Sequence, residues 1–303
     1  MQIESNFIIE AERCLSCQSV NRKLRYRKLS KLIGLEAQIF KCGDCGLVYS
    51  GSTLTDEGAT KFYERKHSGS NYAEYAKFDA IKIGQFTSRY LKLERQLGHR
   101  PGSVLDLGCG EGQALEAAEN LGWDITGVEI SPAAVEKSRN KGFKNVFCSP
   151  LEQLDDLGIG SFDIISLFDV LDHVRRPVEV LTAARRHLSP NGLLHLDVCD
   201  ISSIYSLLMG ESYTHLVPFE HLTFFDPKTL RATLNRCGFE VLHLGGCPRP
   251  VSLDFLKMTL KTFNPILAKP VELLANILPN KLNSMALQIP VGIISATARL
   301  ASV

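Results

Sequence analysis

The run Val104-Leu105-Asp106-Leu107-Gly108-Cys109-Gly110-Glu111-Gly112 constrains this chain more than any other stretch. An apolar strand enters a Gly-x-Gly-x-Gly turn, and a helical pattern follows from Gln113 to Leu121. Glycines at such a turn let the backbone approach a ligand closely. The helix start behind it offers N–H groups and the positive end of a dipole. Nineteen residues after Gly110, the apolar run Ile125–Ile130 carries Glu129 at its end. An acid at that offset hydrogen-bonds the ribose hydroxyls of an adenosine ligand. Further apolar runs at Phe162–Phe168, Leu193–Val198 and Phe239–Leu244 alternate with helical patterns, and Val291–Ala298 reads as a last strand. That alternation predicts an α/β, doubly wound, mostly parallel sheet.

The acids decide among nucleotides. A dinucleotide turn wants Gly-x-Gly-x-x-Gly, and here Gln113 takes the third place. Glu111 and Asp106 would repel a pyrophosphate, but they suit a ligand with a sulfonium, an ammonium and one carboxylate. S-adenosylmethionine is such a ligand. The chain resembles the class I S-adenosylmethionine-dependent methyltransferases over about residues 60–245 plus the last strand. The resemblance rests on VLDLGCGEG at 104–112, GVEIS at 127–131, SFDIISLFDVLDHV at 161–174, PNGLLHLDV at 190–198 and HLTFFDPKTLRATLNRCGFEV at 221–241. It implies a seven-stranded, Rossmann-like sheet. It also implies that Asp106 and Gly108 hold the amino-acid end, with Cys109 beside them in the turn as a packing residue. Gly110 then passes near the sugar, and Glu129, followed by Ile130, binds the ribose. Relatives often carry an acid near position 150 for the adenine. This chain has Cys148-Ser149-Pro150-Leu151 there, which leaves the Leu151 N–H for that contact. Phe168 and Asp169, ending the fourth strand, fall at the junction of cofactor and acceptor.

Cys14-Leu-Ser-Cys17 and Cys42-Gly-Asp-Cys45 form two CxxC knuckles separated by 24 residues. Four thiolates in that arrangement suit a closed, structural zinc site, so residues 1–55 read as a zinc ribbon. The alternative is two unrelated thiol pairs or a redox CxxC. Cys148, Cys199, Cys237 and Cys247 have no ligand spacing and read as core. Between the knuckles, Arg22–Lys28 is basic; its plain reading is a solvated strand face, and its functional one a phosphate contact. Residues 56–100 read as a helical connector with an apolar stripe from Tyr75 through Tyr90 to Leu97, and residues 101–303 as the main domain. Within it, about 247–289 is an insertion of short apolar helices broken by Pro265, Pro270 and Pro279, able to cap a pocket, join two copies or lie on a membrane surface. From Val251 onward only seven of 53 residues are charged.

On the acceptor side, Glu220-His221 opens the last motif. The pair is similar to the catalytic pair of zinc-containing sugar methyltransferases, which makes His221 the leading candidate base. His173 follows the fourth strand, and Tyr72, Tyr75, Tyr213 and His215 are candidate lining residues. Transfer to oxygen or carbon needs a base and an in-line, dry site. The expected acceptor is a small molecule or a sugar, free or linked to a carrier or lipid. RNA held by the ribbon and the basic run is a second expectation, and a cofactor-binding scaffold without chemistry a third. A net charge of +1 gives no global pull toward nucleic acid. Met1–Arg13 does not read as a secretory signal, no run of 18 apolar residues exists, and nine cysteines fit a reducing cytoplasm. Oligomeric state is open.

Overall fold

A computed structural model describes residues 7–30, 33–68, 79–263 and 265–302. The N-terminal strands are β1 (Ile8–Glu10), β2 (Arg22–Leu29), β3 (Glu36–Cys42), β4 (Val48–Ser50) and β5 (Ser52–Leu54). The basic run lies on β2, where the charged side chains are mostly exposed. Helix Asp56–Ser68 and helix Asp79–Leu97 follow. The expected stripe is real in the second helix: Tyr90 and Leu93 are buried and pack with Val104, Ala114 and Trp123.

The main sheet contains β6 (Ser103–Leu107), β7 (Asp124–Glu129), β8 (Val146–Cys148), β9 (Phe162–Phe168) and β10 (Leu188–Cys199). After the short β11 (Thr223–Phe224) come β12 (Phe239–Gly246), β13 (Arg249–Val251), β14 (Leu287–Ile289) and β15 (Ile293–Leu300). Seven strands lie in the order β12-β15-β10-β9-β6-β7-β8. Strands β8, β7, β6, β9 and β10 run parallel, and β15 is antiparallel to both neighbours. This is the doubly wound, seven-stranded sheet of the Rossmann-like methyltransferase fold. Strand order turns around at β6 and β9, so the crevice at their carboxyl ends is where such sheets bind ligands.

Local chemistry explains the helix starts. Ser131 accepts from the Ala134 N–H with Pro132 in the first turn, and Asp226 forms a capping box with Thr229 ahead of helix Pro227–Arg236. Three sequence expectations need correction. Pro270 does not divide its segment, because it lies inside helix Pro265–Ile277. The strand expected at Leu193–Val198 begins earlier; β10 starts at Leu188 and continues across Pro190-Asn191-Gly192 with a register shift between Leu188 and Leu193. Cys148 is exposed, not core; β8 is a three-residue edge strand whose last side chain points out.

The cysteine segment is tied to the main sheet's helices. β11 pairs with β4, at Thr223↔Tyr49 and Phe224↔Val48, making a four-stranded sheet β11-β4-β3-β2. Ser16 Oγ lies 2.8 Å from Thr233 Oγ1, and Cys14, Cys42, Leu47 and Tyr49 belong to the same core cluster as Leu230 and Leu234.

Candidate active site

One cavity of about 1110 Å³ opens at the carboxyl ends of β6, β7 and β9. Its inner wall is the glycine turn. Gly108 has φ 75°, and a Cβ there would come within 2.5 Å of Val170, so only glycine fits. Gly110 also has positive φ, and a Cβ there would meet nothing within 4 Å among the described residues. The backbone is thus open on the side where a ligand would lie. Glu129 is buried and held from behind: Gly110 N–H donates to Oε2 at 3.0 Å and Ser131 N–H to Oε1 at 2.9 Å. Cys109 is buried beside Gly127, as packing requires.

Asp106 sits at the base of the turn. Ser166 Oγ donates to its carboxylate at 2.6 Å, and Tyr90 Oη lies 3.0 Å from Ser166 Oγ. Burial pushes its pKa up to about 7, the Ser166 hydrogen bond opposes that, and the Glu129 charge adds to it. A buried carboxylate shifted this far is poised for a cation. Asp106 and Glu129 both line the cavity, whereas Glu111 is drawn aside by Lys137 at 2.7 Å. Of the acids singled out around the turn, Asp106 and Glu129 face the cavity and Glu111 does not. Ile130, Leu151, Phe168 and Asp169 complete this wall, together with Glu152, an acid beside Leu151 that the sequence reading passed over. Glu152 also faces Arg176 at 3.4 Å.

The outer wall carries the candidate acceptor residues. His173, His215, Glu220 and His221 all line the same cavity. Their convergence follows from backbone bonds: Leu222 N–H and Thr223 N–H both donate to the Asp172 carbonyl, at 2.7 and 3.1 Å. The rings of His173 and His221 are 4.2 Å apart, and those of His215 and His221 5.7 Å. Tyr63 Oη lies 3.2 Å from His173 Nδ1. Tyr213 is buried instead, donating to the Gly292 carbonyl at 2.8 Å, so it supports the wall without lining it. Tyr72 and Tyr75 lie outside the described residues. Sequence reasoning missed Asp172, Tyr63 and Arg249 as site residues. Arg249, in the insertion, bridges Asp169 at 2.5 Å and Asp197 at 3.4 Å. Asp169 itself holds φ 58°, a strained conformation away from glycine. Only Asp172 left a signal, as the acid adjoining His173. The insertion also contributes Val251, Phe255 and Leu256 to the cavity rim.

At the N-terminal end, the four sulfurs of Cys14, Cys17, Cys42 and Cys45 lie within 4.8 Å of one another, with two pairs at 3.5 Å. Zinc–sulfur bonds of about 2.3 Å in a tetrahedron place sulfurs about 3.8 Å apart. The four cysteines fit that ion. The Cys45 N–H also points at Cys42 Sγ, 3.5 Å away.

These features define an α/β domain with one cavity, lined by the glycine turn and by a cluster of histidines, at the carboxyl ends of its sheet. The chain matches the methyltransferase-domain family over residues 75–244, more than half its length, and belongs to that family. A ubiquinone biosynthesis O-methyltransferase of Bordetella avium is 27% identical over 150 residues, 45% of this chain and 61% of that protein. A Pseudomonas aeruginosa protein of the same name is 25% identical over 203 residues, 59% of this chain and 88% of its own. The chain thus spans less than two thirds of the first of these relatives. Among solved structures, a plantazolicin methyltransferase in complex with SAH and a pentazolic analog superposes with TM-score 0.52 at 20% identity, covering 78% of this chain and 91% of that one. No helix among the described residues is long and apolar enough to cross a membrane.

Proposed function

We propose that this protein is an S-adenosylmethionine-dependent methyltransferase acting on a small-molecule or sugar acceptor, free or carrier-linked. The observation that carries it is the single cavity shared by the glycine turn, Asp106, Glu129 and the His173/His221 pair. S-adenosylmethionine supplies a methyl group on a sulfonium, transferred by in-line displacement to a nucleophile. Asp106 faces the ammonium end, Gly108 and Gly110 let the ligand lie against the backbone, and Glu129 accepts from the ribose hydroxyls. Leu151 N–H or Glu152 meets the adenine. Phe168 and Asp169 separate donor from acceptor.

His221, beside Glu220 and within 3.9 Å of Asp172, is the group placed to take the acceptor proton, and His173 orients it. Val251, Phe255 and Leu256 of the insertion cover the chamber and exclude water. An oxygen acceptor is favoured by the relatives named as O-methyltransferases. Cys14, Cys17, Cys42 and Cys45 hold a structural zinc in a ribbon that supports this wall through β4 and β11.

Incubation with methyl-labelled S-adenosylmethionine and host pools of metabolites, lipids and total RNA tests the reading. Label in metabolites or lipid supports it. Label in RNA alone overturns the acceptor class, and failure to bind the cofactor overturns the activity.

A further inference from the structure

We propose that Asp172, His173 and His221 form a divalent-cation site in the acceptor half of the cavity. One ligand atom from each lies within 4.8 Å of the others. Asp172 Oδ1 is 3.7 Å from His173 Nε2, and Asp172 Oδ2 is 3.9 Å from His221 Nε2. Both separations are too long for hydrogen bonds. Two donors sharing an ion at about 2.1 Å each sit roughly 3.0–4.2 Å apart, according to the angle between them. Both Asp172–histidine spacings, one to each carboxylate oxygen, fall in that span.

The surroundings support the same reading. Asp172 is 2% exposed, its Oδ1 has no hydrogen-bond partner among the described residues, and the residue lines the cavity. A buried carboxylate oxygen without a donor is costly, and a cation removes the cost. His173 meets Tyr63 Oη through Nδ1, which leaves Nε2 as the ligand nitrogen. The Cys199 N–H donates to Asp172 Oδ2 at 3.1 Å. Ligands oriented from behind by such partners are the pattern of built metal sites. Two imidazoles and one carboxylate suit borderline divalent ions such as Mn²⁺, Fe²⁺, Co²⁺ and Zn²⁺, with coordination positions left over. Those positions face the cavity and would take acceptor oxygens, so the acceptor class is a hydroxyl compound able to bind a cation. The role in transfer rests on the proposed function: the ion would acidify a bound hydroxyl, whose proton would pass to Glu220 in the same cavity while His221 serves as ligand instead of base; the ion binding does not rest on it.

The test is Mn²⁺ titration of the full-length protein carrying its ribbon zinc, read by loss of the free-ion EPR signal. About one Mn²⁺ should bind per chain, weakened about tenfold or more in His173→Ala and His221→Ala and unchanged in the surface variant His99→Ala. Calorimetric binding of SAH to each variant reports folding separately. Should either alanine variant fail to fold, Tyr63→Phe replaces it, with weaker Mn²⁺ binding and unchanged SAH binding expected. No Mn²⁺ binding at millimolar ion, or equal binding by wild type and both histidine variants, overturns the site. Mn²⁺ binding without SAH binding overturns the methyltransferase reading and leaves the cation site standing.

Discussion

The two walls of the cavity are built in opposite ways. The inner wall is built round one continuous stretch, Asp106 to Glu129, in which a strand, a turn and the next strand place both acids and the glycine turn, with Leu151, Glu152, Phe168 and Asp169 added beside it. The outer wall gathers Tyr63, Asp172, His173, His215, Glu220, His221 and Arg249 from segments spread through the chain. A local unit tolerates damage elsewhere; an assembled one depends on each strut. β11 is such a strut, since it begins two residues after His221 and pairs with β4 of the cysteine segment.

The largest expected effect breaks that strut. If Cys42 ligates the proposed zinc, Cys42→Ser forfeits much of the binding energy that folds a small four-thiolate unit, on the order of 10 kcal/mol for isolated zinc peptides. The variant should lose the β4–β11 pairing and with it methyl transfer, while SAH still binds the inner wall. Thermal melting and SAH calorimetry together check this. Simultaneous loss of SAH binding would show that the two walls are not separable.

Next is His221→Ala. On the proposed function, where His221 takes the acceptor proton or ligates an ion that acidifies the acceptor, its loss should lower kcat by about 10²–10⁴-fold. SAH affinity should stay within about twofold, since His221 faces the acceptor side. Glu129→Ala is the mirror experiment. It removes a charged acceptor from the ribose side, at about 1.5–3 kcal/mol, or roughly 10- to 150-fold in cofactor affinity. An unchanged Kd for SAH would sink the ribose assignment.

The same contrast explains what could be read from the sequence. The inner wall was legible because its groups sit at fixed offsets along one strand–turn–helix unit, and Asp106, Gly108, Gly110 and Glu129 do line the cavity. Glu111 misled because a turn's offset does not reveal that Lys137, one helix later, draws it aside. On the outer wall, His173 and His221 stood out by residue type. Their grouping did not: Asp172 adjoins His173 in sequence, but it meets His221 only through backbone bonds to Leu222 and Thr223, about fifty residues away. Arg249 hides in an apolar insertion, where only tertiary packing brings it to Asp169. Pro270 was misread because helix Pro265–Ile277 keeps going through it, which the propensity rule alone does not anticipate.

The smallest expected effect sharpens the inner wall by pH. Asp106, with its pKa raised to about 7 chiefly by burial, carries a proton in much of the empty protein at pH 6. Because the folded value lies above the unfolded one, the empty protein binds more protons than the unfolded chain between about pH 4 and 7. Its stability therefore declines as pH rises through that window. A bound ammonium favours the ionised form and reverses the trend, so cofactor affinity should rise roughly tenfold between pH 6 and 7.5. Asp106→Asn should flatten this dependence. Ser166→Ala removes the hydrogen bond that holds the pKa down, so its affinity profile should move to higher pH while keeping its shape. Calorimetry of SAH binding across pH measures all three proteins. A Ser166→Ala profile that moved to lower pH would mean that the serine stabilises the protonated carboxyl instead, and that the cation at this wall is held by something other than Asp106.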